Sequence, residues 1–178
     1  MEIHVKKLAM KAGFKSPDLL TRAVGRSLYK SLVKAASAAG ENEVVVLDFA
    51  EIGVLDSSFI DEFIVKFILD QNKENGYYIK LCNISNTSQL NIAAVFRSYL
   101  EFDDRRLVVA TEELCASNKF YIGFLSEAED NVLSYIKTNK SVAADDKGLH
   151  VKDLPKILNE MRKLRLIRED GSGRFFSI

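Results

Sequence analysis

The spacing of apolar and polar residues changes several times along this chain, and each change predicts an element. Ile3, Val5 and Leu8 alternate with His4, Lys6 and Lys7, the pattern of a short, partly exposed opening strand. Leu20, Val24, Leu28 and Leu32 then recur every four residues, with Ala23 and Ala36 beside them. Ser16-Pro17 offers a capping hydroxyl and a proline for the first helical position, and Gly40 offers a stop, so this stripe predicts a helix over 17–39. Val44-Val45-Val46-Leu47-Asp48-Phe49 is rich in β-branched residues and reads as a strand buried on both faces. Phe59, Ile60, Phe63, Ile64, Phe67 and Ile68 pair at helical spacing, with Asp61, Glu62, Lys66 and Asp70 opposite, so a helix starts near Ser58. Residues 77–84 predict another strand. Asn86 can cap a helix bearing Leu90, Ala93, Ala94, Phe96 and Leu100, and Leu107-Val108-Val109-Ala110 predicts a further strand. This alternation predicts an α/β layer with helices packed on a sheet.

The pattern changes between Cys115 and Phe124. Ser126-Glu127-Ala128-Glu129 fits a capping box, with Val132, Leu133 and Ile136 continuing the helical stripe behind it. Leu154, Leu158 and Met161 mark a second helix. Two short β segments around Gly171-Ser172-Gly173 predict a hairpin. We therefore expect two domains, 1–117 and 118–178. The joint has one glycine, no proline, and the aromatics Phe120, Tyr121 and Phe124, so it reads as packed and not as a loose tether. Neither internal repeats nor low-complexity tracts are present.

Composition narrows the class of protein. Apolar residues make up 47% of the 178, enough for a buried core. Lys plus Arg and Asp plus Glu stand at 25 each, which argues against global attraction to nucleic acid or membrane and leaves room only for a local basic face. Cys82 and Cys115 lie in apolar surroundings without CxxC spacing and read as reduced core residues. Charged residues interrupt the first ten positions, so they form no signal-peptide core, and no apolar run approaches the about 20 residues that span a bilayer. The expected location is cytoplasmic.

The segment with the most chemical information is Asp56-Ser57-Ser58, which follows the 44–49 strand and opens a helix. Free N–H groups and the helix dipole favour negative charge there. A phosphoserine at that point would add about −1.5 to −2 charges, opposed by Asp61 and Glu62 one turn on. A plain alternative is that Ser58 caps the helix, with Asp61 completing a Ser-x-x-Asp cap. Asp48 and Asp56 read as loop-organising residues, with no histidine or further carboxylate beside them to suggest a metal.

Over about residues 1–115 the chain resembles STAS domains, the family of anti-sigma-factor antagonists. The residues that carry the resemblance are the 44–48 strand, Asp56-Ser57-Ser58, and Leu81-Cys82-Asn83-Ile84-Ser85 leading into a helix. The resemblance implies that Ser58 is a phosphate acceptor. It also implies a protein partner, an ATPase-fold serine kinase that doubles as the anti-sigma factor and binds the unphosphorylated form. Those antagonists continue with Gly-Leu-Gly where this chain has Phe59-Ile60-Asp61-Glu62. In that respect it is more similar to an uncharacterised STAS-like family with a Ser-Phe-x-Asp-Glu motif.

Residues 125–178 resemble a winged helix-turn-helix. Gly148-Leu149-His150-Val151-Lys152-Asp153-Leu154 stands where such domains carry a turn and the start of the recognition helix, and 171–176 stand at the wing. Ser141-Val142-Ala143-Ala144-Asp145-Asp146-Lys147 makes a poor, short or irregular second helix. The resemblance implies DNA contacts by Lys152, Lys156, Asn159, Lys163 and Arg174, with the cations on phosphate and the amide on a base edge. Against this, Asp153 and Glu160 share the helix, and the excess of cations from residue 118 onward is only 11 over 9. Docking of a protein is the competing use.

No HExxH, P-loop, GxGxxG or GxSxG occurs, and His4 and His150 fall in different predicted domains. The expectation is a bacterial, non-enzymatic regulator without cofactor or metal, in which a STAS-like partner-switching domain is coupled to a winged helix. The rivals are a DNA-binding transcription factor whose α/β domain only dimerises or packs, and a protein-interaction scaffold that binds no DNA.

Overall fold

A computed structural model describes residues 1–71, 76–112 and 121–178. The chain divides into two compact units, Met1–Gly123 and Phe124–Ile178. The expected boundary at 117/118, with Cys115 and Phe120, lies outside the described residues.

In the first unit, five strands form one sheet in the order β1 (Glu2–His4), β2 (Val44–Asp48), β3 (Tyr78–Cys82), β4 (Val108–Thr111), β5 (Tyr121–Gly123). The first four are parallel and β5 is antiparallel to β4. Parallel neighbours require crossovers. These are supplied by α1 (Val5–Lys11) with α2 (Arg22–Ala36), by α3 (Ser57–Ile60) with α4 (Lys66–Gln71), and by α5 (Asn86–Asp103). A π-helical turn, Asp61–Val65, joins α3 to α4.

The core lies where Val45 and Leu47 of β2, Ile79 and Leu81 of β3, and Val109 of β4 meet Leu28 and Leu32 of α2, Phe59, Phe63 and Phe67, and Ile92 and Phe96 of α5. Phe59 and Phe63 stack with ring centroids 5.0 Å apart. The 44–49 run is not buried on both faces as expected. Val45 and Leu47 are fully covered, whereas Val44 and Val46 are half-buried. The register places Val46 beside Lys80 and Asp48 beside Cys82, so the second face of the sheet carries polar groups.

Several local expectations are corrected. The opening strand ends at His4, and Val5 begins a helix whose Val5 and Ala9 are buried. Helix α2 starts at Arg22, not Pro17, because 17–19 are used elsewhere: the Pro17 carbonyl accepts from Gly53 N–H, and Leu19 bridges to Leu55. Ser16 Oγ accepts from Asp18 N–H in a turn, Leu20 is exposed, and the helix ends before Gly40. Ser85, not Asn86, caps α5, whose buried stripe is Ser88, Ile92 and Phe96, with Leu90 exposed. Strand β5 was not anticipated. It is three residues long and ends on Gly123 (φ +123°), where a Cβ would stand 2.2 Å from the Leu107 carbonyl oxygen, so glycine lets β5 approach β4.

The second unit contains α6 (Glu127–Asn139), β6 (Val142–Ala143), α7 (Leu154–Lys163), β7 (Ile167–Glu169) and β8 (Arg174–Ser177). Its three antiparallel strands are ordered β6-β8-β7. The Ser126–Glu129 capping box is present, and the hairpin turns through Gly171-Ser172-Gly173. Leu154, Leu158, Met161, Leu166 and Ile167 are all buried. The 141–147 segment contains β6 and turns, not a second helix. Val142 pairs with Phe175 and is fully buried there.

Candidate functional site

The loop from β2 to α3 is fastened from both sides. Asp18 Oδ1 accepts from Val54 N–H at 3.0 Å, and Leu19 N–H donates to the Val54 carbonyl. From the other side Ser85 Oγ donates to the Gly53 carbonyl, Ser88 Oγ accepts from Leu55 N–H, and the Asn91 amide donates to the Leu55 carbonyl at 2.8 Å. This polar frame sets the position from which Asp56 begins α3.

Asp56 performs the capping that could have fallen to Ser58. Its Oδ1 accepts from Phe59 N–H at 2.7 Å and from Ser58 Oγ at 3.1 Å. Its Oδ2 accepts from Thr21 N–H at 2.8 Å, immediately before α2. One carboxylate thus stands at the starts of two helices, where both dipoles favour it. Burial pushes the Asp56 carboxyl up, but the hydrogen bonds from Thr21, Phe59 and Ser58 outweigh that and hold it below the usual carboxylate range. Thr21 has φ +77°, rare for a β-branched residue, and its bond to Asp56 ties down that strained turn. Ser57 is exposed and Ser58 half-buried; neither hydroxyl accepts the capping N–H bond.

Asp61 and Glu62 open the π-helical turn and are held by α2. Arg22 Nη1 lies 2.9 Å from Asp61 Oδ2 and 2.8 Å from Glu62 Oε1, while Arg26 Nη2 lies 3.0 Å from Glu62 Oε1. Tyr99 OH of α5 donates to Asp61 Oδ1 at 2.5 Å. Arg26, with Arg22 behind it, draws the Glu62 carboxyl below its ordinary value, and burial followed by the Asp61 bond pushes the Tyr99 phenol up to about 12. Helix α2 comes this close because it has Gly25 at the crossing, where a Cβ would sit 3.0 Å from Glu62 Cβ and 3.2 Å from the Phe59 carbonyl oxygen. Asp56, Ser58, Asp61 and Glu62 are thus tied together where α2 crosses α3, with Thr21, Arg22, Arg26 and Tyr99 added by the fold, while Ser57 is exposed. The Arg22/Arg26 pair at i, i+4 was the only local sign of such a clamp.

The second unit treats its candidate residues unequally. Lys152, Lys156 and Asn159 are exposed at the start and along α7. Lys163 pairs with Glu160 at 2.9 Å, and Arg174 Nε donates to Ser141 Oγ at 2.9 Å. Arg162, not anticipated, bridges to Glu169 of β7.

A second cluster was missed because its members are far apart in sequence. The parallel register of β1 and β2 sets His4 beside Asp48, and Nδ1 lies 2.6 Å from Asp48 Oδ2. Glu2 Oε1 stands 3.8 Å from the same nitrogen. The far oxygen of Asp48 accepts from Asn83 Nδ2 at 2.7 Å and Ala50 N–H at 2.9 Å. Cys82, next to Asp48 across the strands, has its thiol pushed up to about 12 by burial and by Asp48, so it stays protonated and is a poor nucleophile. Among the described residues Glu2, His4 and Asp48 are the group with spacing fit for a metal ion, in contrast to the expectation that no histidine joins Asp48.

Residues 24–89 match the family model for the STAS-like domain of unknown function (DUF4325). That segment runs from within α2 to the start of α5 and includes Asp56, Ser57, Ser58, Asp61 and Glu62. No match was found among curated proteins or solved structures. No helix of the described residues is long and apolar enough to cross a membrane.

Proposed function

We propose, from the STAS-like domain at residues 24–89, that this protein is a non-enzymatic regulator that docks a protein partner on the Asp56–Glu62 face. One observation carries the reading: Asp56 caps α3, which leaves the Ser57 and Ser58 hydroxyls free of that structural duty. Two hydroxyls at the tip of a fastened helix are suited to contact a partner or to accept a phosphoryl group. A serine kinase of the ATPase fold is the partner class to which that chemistry belongs, transferring the γ-phosphoryl of ATP to Ser58 Oγ as the Pγ–O bond to ADP breaks, with ADP and the hydroxyl proton released. The product dianion would lie beside Asp56 and would add about −1.5 to −2 charges to a face where Arg22 and Arg26 already offset Asp61 and Glu62, so the face would turn net negative and repel an acidic partner surface. The fold would be kept, because the cap does not depend on Ser58.

The test is to recover the native partner with the full chain and compare Ser58→Ala with Ser58→Asp, alongside mass spectrometry of Ser57 and Ser58 from the native host. Retained binding by the alanine variant and loss by the aspartate variant are expected. Equal binding by both, with no phosphate found, would overturn the switch.

For the second unit, the α6-β6-α7-β7-β8 order and the β6-β8-β7 sheet support a winged-helix reading in which α7 meets DNA. Exposed Lys152 and Lys156, in no ion pair among the described residues, favour phosphate contact. Lys163 and Arg174 already have protein partners and would contribute less.

A further inference from the structure

The His4–Asp48 cluster plays no part in the docking face and has the chemistry of a different site. We propose that Glu2, His4 and Asp48 bind one divalent transition-metal cation of the zinc or manganese type. The donors are an imidazole nitrogen and two carboxylate oxygens, all within 4.8 Å of one another, a set that suits zinc and manganese better than thiolate-seeking metals.

Three features of the surroundings point the same way. Asp48 is only 6% exposed, yet among the described residues no lysine or arginine pairs with it. Lys80, on the same face of the sheet, reaches Glu112 instead. The buried carboxylate is met by hydrogen bonds from Asn83 and Ala50 N–H on one oxygen, and among the described residues His4 is the basic side chain that meets the other. In addition, Asp48 is braced on its far oxygen by Asn83 and Ala50 N–H. That leaves the near oxygen, Oδ2, directed at His4, as the outer hydrogen bonds of metal-binding carboxylates do. Finally, the three donors are approachable from solvent on one side: the His4 side chain is 41% exposed and that of Glu2 56%.

At 2.6 Å from a carboxylate oxygen, His4 Nδ1 carries the proton and donates it to Asp48 Oδ2. On binding, that proton leaves Nδ1, the neutral ring keeps its proton on Nε2, and the cation takes the place of the hydrogen bond between the two ligands. Two carboxylates and a neutral imidazole around a dication leave the site with no net charge. Three protein ligands leave a fourth, solvent-facing position open.

The test is isothermal titration of the tag-free full chain with zinc chloride and manganese chloride, with magnesium chloride as the control. We expect saturable one-to-one binding of zinc or manganese, and none of magnesium at the same concentrations. His4→Gln, a change on a half-exposed ring, should abolish that binding while the circular dichroism spectrum stays unchanged. Asn83→Ala should weaken it by about 10–100-fold through the brace. No saturable heat with the wild-type chain, or equal binding by the wild type and His4→Gln, would overturn the proposal. The docking reading at Ser58 is untouched by either result.

Discussion

Asp56 shows how much one side chain can decide. Its carboxylate joins the starts of α2 and α3, and nothing in the local sequence announces the bond to Thr21 N–H, 35 positions away. Asp56→Ala should cost about 1–2 kcal/mol in urea unfolding, as loss of a cap does, and it also frees the strained turn at Thr21. Ser58→Ala should stay within about 0.5 kcal/mol of the wild type, because Ser58 only donates to Asp56. The reverse ranking would show Ser58 to be the structural residue. A pH dependence follows from the same carboxylate. Its folded value lies below the unfolded one of about 3.9, so its stabilisation is complete above that value and is lost as the pH falls through the folded value. Asp56→Asn keeps a capping oxygen but cannot titrate, so its stability curve below about pH 4 should be flatter than that of the wild type.

At the scale of elements, the crossing of α2 over α3 rests on a missing side chain. An alanine at position 25 would gain about 1 kcal/mol in helix propensity. Its methyl would meet Glu62 Cβ and the Phe59 carbonyl oxygen, neither of which can swing aside as the end of a flexible chain could. Overpacking of that kind costs about 1–3 kcal/mol, so Gly25→Ala should come out destabilised by about 1 kcal/mol in thermal or urea unfolding. It should also loosen the Arg22 and Arg26 clamp on Glu62, seen as faster amide exchange in the π-helical turn. A more stable variant with unchanged exchange would refute the close crossing. The same element illustrates what periodicity can read. Phe59, Phe63 and Phe67 at i, i+4, i+8 marked the buried stripe, but the wider turn at 61–65 left no trace in their spacing.

For the whole molecule, charge sets the terms of any nucleic-acid binding. With 25 cations against 25 acids, attraction must come from a local patch, and in the second unit that patch is small. Binding of the full chain to DNA should therefore be weak and fall steeply with salt. Lys152→Ala and Lys156→Ala should each reduce the slope of log affinity against log salt by about 1. Arg174→Ala should change it less, because that guanidinium is engaged by Ser141. No shift at low salt would remove the DNA reading of α7.

By itself the sequence determined the alternation of strands and helices, the capping box at Ser126, the terminal hairpin, and the helix start at Asp56-Ser57-Ser58. Each depends on neighbours within a few positions, where periodicity and capping chemistry act. Only the tertiary structure decided that Ser16-Pro17 would serve a loop and not open α2, that 141–147 would contribute a strand edge, and that β5 would close the sheet, because those outcomes depend on hydrogen bonds to distant segments. It also brought together His4, Asp48 and Asn83 at the ends of three successive parts of the sheet, and set Arg22 over Asp61 and Glu62. Parallel strand register and helix crossings place such residues side by side, and neither is written in any short stretch of chain.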